Sequence, residues 1–146
     1  MKAVMSLAER TVVHEGLPHQ NYEQAQVQQE RRTKRVHELH GYLYYQQPLE
    51  LTEVDIKRLS AILGDATTFQ PFTGEKKCGG FHPDYAVEYQ RSGDSHFVAI
   101  CFGCGEAKVS VATDTERYDL NHDSEKKLKD VLFGYRTNRP SAPVRP

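Results

Sequence analysis

The chain has 146 residues, 19 Lys plus Arg against 20 Asp plus Glu, and a formal net charge of −1. That length holds one domain with one core, and a charge near zero supplies no overall field toward nucleic acid or an anionic membrane. No apolar run approaches the roughly 18 residues of a membrane span, and Glu9 and Arg10 interrupt the start before a signal-peptide core can form. The default compartment is therefore cytoplasmic; an exported protein whose signal had been removed would read the same way.

Residues 1–35 read as a polar N-terminal arm, helical in part or disordered. From Asn21 to Leu39 the segment is rich in glutamine and charge, with Ala25, Val27, Val36 and Leu39 as its few apolar points. A helix that is polar on every side is either unstable or docks on a partner. The arm is thus the expected contact for another protein. The Arg31-Arg32-Thr33-Lys34-Arg35 cluster within it reads as a solvated basic face rather than a nucleic-acid contact.

The domain proper spans 36–135 and the tail, 136–146, is proline-rich and expected to be disordered. Gly41 to Gln46 forms a short strand ended by Pro48, its tyrosines used for packing rather than base stacking. Thr52 caps a helix with Asp55 three residues on, Leu51 and Ile56 in staple positions, and Ile56, Leu59 and Leu63 as its apolar stripe. Gly64 stops it. Residues 65–80 read as loop.

A hairpin follows. Turning at Gly93-Asp94 sets Tyr89 opposite Val98, Val87 opposite Ile100 and Tyr85 opposite Phe102, three apolar rungs. A second hairpin turning at Asp114-Thr115 sets Val111 opposite Tyr118 and Val109 opposite Leu120. A last helix runs from about Ser124 to Phe133, with Leu128, Val131, Leu132 and Tyr135 on one face. The expected class is α+β: an antiparallel meander of about four to five strands packed against two amphipathic helices.

The chemistry-bearing residues are the three cysteines, Cys78 before the first hairpin and Cys101-Phe-Gly-Cys104-Gly after it. The register turns Cys101 away from the Tyr85/Val87/Tyr89 face. Gly103 and Gly105 permit the turn that brings both thiols of the pair to one point, and Gly79-Gly80 can fold Cys78 back toward them. With His82 beside the same rung, Cys78, His82, Cys101 and Cys104 make a candidate Cys3His site with the four ligands zinc prefers. A disulfide from Cys78 to either partner, or buried inert thiols, fit the same residues. Thioredoxin-like chemistry does not, because its Cys-x-x-Cys opens a helix whereas Glu106 to Val111 reads as a strand.

The stretch Cys78-Gly-Gly-Phe-His-Pro-Asp-Tyr-Ala-Val, a hairpin, then Ile100-Cys-Phe-Gly-Cys-Gly-Glu resembles a loosely defined group of small bacterial proteins of unassigned function. The likeness runs from about Gly41 to Gly134 and rests on Cys78, Phe81, Pro83, Cys101, Phe102 and Cys104. It implies a shared fold and three shared sulfurs. Members of that group often look exported or lipid-anchored, a feature absent from this start, and their position matching His82 is not regularly histidine.

Two functions follow as expectations. One is a non-enzymatic protein-binding or accessory module whose three-cysteine site, zinc or disulfide, is structural. The alternative is a metal- or thiol-dependent enzyme using Cys78, Cys101, Cys104 and His82, with no substrate indicated.

Overall fold

The computed structural model describes Met5, residues 8–19 and residues 23–140; the expectations for residues 1–4, 6–7, 20–22 and 141–146 lie outside the described residues. In chain order the elements are β1 (Arg10–Glu15), α1 (Gln24–Thr33), β2 (Val36–Leu39), β3 (Tyr42–Tyr45), α2 (Glu53–Gly64), β4 (Phe69–Pro71), β5 (Tyr85–Arg91), β6 (Asp94–Cys101), β7 (Glu106–Val111), β8 (Asp114–Leu120) and α3 (His122–Leu132), with a short 3-10 turn at Phe133–Tyr135. The class is α+β, as expected.

The main sheet has six strands in the order β1-β5-β6-β7-β8-β4, every neighbouring pair antiparallel, and β2 with β3 forms a separate two-stranded hairpin. The β5–β8 run is the expected meander. Its registers differ from expectation. The first hairpin turns at Ser92-Gly93, so Arg91 faces Asp94, Val87 faces Val98 and Tyr85 faces Ile100. Both turn residues have positive φ, 49° at Ser92 and 85° at Gly93, and such a turn wants its glycine second rather than first. The second hairpin turns at Ala112-Thr113, where Ala112 takes φ 53°, and sets Ala107 opposite Tyr118. Both slips are even-numbered, so each side chain keeps its expected face.

Two further corrections concern the ends. Residues 10–15 are not part of a free arm: Arg10–Glu15 pairs with β5 along its length, from Arg10 opposite Gln90 to Glu15 opposite Tyr85. Nor is the described part of the tail loose. The buried Glu15 carboxylate accepts backbone N–H bonds from Thr137 (3.2 Å), Asn138 (2.9 Å) and Arg139 (2.9 Å). The loop expected over 65–80 holds β4, and the segment read as a helix through Leu39 ends at Thr33 and continues as β2.

One face of the sheet is apolar. Val13, Tyr85, Val87, Tyr89, Val98, Ile100, Ala107 and Val109 meet Leu59 and Leu63 of α2 and Leu128, Val131 and Leu132 of α3. The Thr52 hydroxyl caps α2 by accepting from Asp55 N at 3.2 Å, and Asn121 caps α3 by accepting from Asp123 N at 2.9 Å. Burying a side chain such as Leu128 contributes about 2 kcal/mol of transfer free energy.

The opposite face is mixed. There Ala86, Phe97 and Ala99 pack under Tyr44, Tyr42 and Leu39 of the β2–β3 hairpin. α1 forms a further layer through Val27, which meets Leu17 and Tyr45. Glu30 helps hold it, its carboxylate accepting from the Tyr45 hydroxyl at 2.6 Å.

Candidate functional site

The mixed face of the sheet carries the polar chemistry, and alternation explains why. Residues two apart on one strand share a face, which puts His14, Glu88, Glu106, Lys108, Ser110, Arg117 and Asp119 with Phe97 and Ala99, and Cys101 with them. Chain from Phe72 to Pro83 crosses this face at its β7–β8 side and brings in Cys78 and Lys76.

The loop does fold Cys78 back. Its sulfur is bonded to that of Cys104, with a Cα–Cα distance of 5.4 Å across a separation of 26 residues. Of the alternatives left open by the cysteine pattern, the structure holds the disulfide, and a bonded sulfur has no thiolate charge to offer a metal. Cys101 is free and buried. Burial pushes its thiol up, against hydrogen bonding from the backbone of His82 and Cys104, which pulls it down.

His82 lies nearby but is directed elsewhere. Its Nε2–H donates to the Leu17 carbonyl at 2.6 Å, and its ring lies 4.7 Å from that of His19. Burial lowers its pKa, against the bond to the Leu17 carbonyl, which raises it. The Cys3His arrangement is not assembled. Among the described residues no group of three or more His, Cys, Asp or Glu side chains could hold a metal ion.

Three carboxylates near the hairpin end, Asp84, Glu88 and Glu106, do not cluster as an acid–base group. Asp84 accepts from Arg139 at 2.6 Å and from Phe102 N at 2.8 Å. Glu88 faces His14 Nε2 at 3.3 Å. Glu106, fully buried, takes Lys76 Nζ at 2.9 Å and Arg117 Nε at 2.7 Å. Lys76 also pairs with Asp119, and Arg117 with Glu75 at 3.0 Å. The Arg117 guanidinium stacks 4.3 Å from the Phe72 ring centroid. Each buried charge of this network is paired, as burial demands.

The basic cluster Arg31-Arg32 to Arg35 is exposed at the end of α1, which leaves only Val27 and Glu30 of that helix buried. Tyr44 and Tyr45 are buried and serve packing. His37 lies on β2 and His40 in the turn after it. No helix among the described residues is long and apolar enough to cross a membrane. No family model, curated protein or solved structure matches this chain.

Proposed function

We propose that this chain is a non-enzymatic binding or accessory module, stapled by the Cys78–Cys104 disulfide and presenting the outer face of α1 to another protein. The observation that carries this reading is the closed state of the sulfurs. Two are bonded to each other and the third is a buried thiol whose pKa is raised, the opposite of an activated nucleophile. The carboxylates nearest to them are committed to Arg139, Lys76 and Arg117. What α1 and the two residues after it leave in solvent is a row of glutamines and the Arg31, Arg32 and Arg35 cations, which fits an acidic protein surface.

The test is a thiol count with native mass measurement, before and after a chelator. One alkylatable thiol, seen only after unfolding, with no bound metal is the expected result. Three thiols with zinc retained by the folded chain would favour the metal-dependent alternative and overturn the staple. The partner face is tested separately by Arg31→Glu/Arg32→Glu, which should abolish crosslinks to a partner in the native source while leaving the disulfide intact.

A further inference from the structure

Lys108 stands apart from the other cations of the mixed face. It sits on β7 directly opposite Arg117 of β8, a like-charge pair across the ladder. Arg117 has the carboxylates of Glu106 and Glu75. Lys108 has none: its Nζ donates to the Tyr42 hydroxyl at 2.7 Å and lies 4.8 Å from the Phe81 ring centroid, and among the described residues no carboxylate pairs with it.

Lys108 also borders a cavity of about 220 Å³ between the β2–β3 turn and the sheet. Its polar lining is His40, Tyr42, Lys108, Ser110 and Thr115, its floor Phe97 and Ala99, and no Asp or Glu takes part. A proton count shows what this lining offers. The Ser110 and Thr115 hydroxyls are 2.8 Å apart, so one O–H is spent within the pair and the other is free. Tyr42 accepts from Lys108 and keeps its own O–H, and the ammonium has N–H groups to spare. His40 completes the rim, held over Phe97 with ring centroids 4.3 Å apart. The lining thus sets several hydroxyl donors and one positive charge, with no counter-ion among the described residues, around an apolar floor.

We propose that this cavity binds a small oxyanion, a phosphate either free or as the head of a compact monoester, with Lys108 as its charge partner and Tyr42 and the Ser110–Thr115 pair as hydroxyl donors. The site is independent of the disulfide and of the α1 face.

The experiment is an amide-resolved NMR titration of the full chain at constant ionic strength, with potassium phosphate, glycerol 3-phosphate and potassium chloride as separate probes. Saturable shifts confined to the β2–β3 turn and to residues 108–115 are expected with both phosphates and not with chloride. Tighter binding of glycerol 3-phosphate identifies a monoester site, and equal binding identifies free phosphate. Lys108→Gln should weaken binding roughly 10- to 100-fold, as loss of a charged hydrogen bond does, with the remaining spectrum unchanged. Lys129→Gln, which removes a partner of Glu125 on α3, should leave it as it was. The proposal fails if no phosphate shift saturates, if chloride reproduces the shifts, or if Lys108→Gln binds as tightly as the parent.

Discussion

Removing the Cys78–Cys104 bridge by the double substitution Cys78→Ala/Cys104→Ala tests how much of the fold depends on it. Cross-linking residues 26 apart removes chain entropy from the unfolded state, a contribution of about 3.5 kcal/mol at 25 °C on the loop-closure relation. Against a total near 5–15 kcal/mol for ordinary domains, that is a large share. Cys101 remains as a thiol without a nearby partner, so no substitute bridge can form. The assay is urea unfolding followed by far-UV circular dichroism. With a slope of about 2 kcal/mol per molar for a chain of this size, the midpoint should fall by about 1.5–2 M. The parent protein treated with a phosphine reductant should fall to the same midpoint, since both treatments open the same loop. If the double variant unfolded within about 0.5 M of the oxidised parent, the bridge would be incidental and the proposal of a disulfide-stapled module would lose its basis.

Two further outcomes follow from the mixed face of the sheet. Glu106→Gln keeps the shape but leaves Lys76 and Arg117 facing a neutral amide; each retains one other carboxylate and partial exposure, so the loss should sit near the low end for a broken buried pair, about 3 kcal/mol. A loss under about 1 kcal/mol by urea unfolding would mean that the pairing is worth no more than a surface bridge. Stability should also fall with acidification. Burial depresses the pKa of His14, outweighing the bond to Glu88, and burial likewise depresses that of His82. Between about pH 6.5, where free histidine titrates, and those lower folded values the unfolded chain binds more protons, so stability rises with pH through that window. Urea midpoints at pH 7 and pH 5 should therefore differ, with a smaller difference in His14→Gln; equal midpoints in the parent would refute the burial argument.

Local signals in the sequence were enough for α2, α3 and the meander, because each is specified within a dozen residues by a cap, a stripe or a turn. The face of every meander residue was also legible, since period-2 alternation survives an even slip in register. What escaped was non-local. β1 reads Arg-Thr-Val-Val-His-Glu, with only two apolar residues of six, and its partner β5 lies far along the chain. β4 is three residues long and ends in proline. The pairing of Cys78 with Cys104 rather than Cys101 depends on how residues 78–82 cross the sheet, which spacing does not determine. The charge network was hidden for the same reason: Glu106 meets Lys76 and Arg117 from 30 and 11 residues away. On its own strand it is simply an acidic residue at a strand start.

The tie between Glu15 and the amides of residues 137–139 governs when the molecule can close during synthesis. Once β1 is made, its ladder partner follows about 74 residues later, and the donors for its last carboxylate arrive 122 to 124 residues later. Until β5 is made, the edge of β1 that it will cover stands open to strangers. Helices and hairpins whose contacts are near in sequence can form first. Slowing translation between Glu15 and Tyr85 should therefore prolong the aggregation-prone phase more than slowing it after β5 is complete.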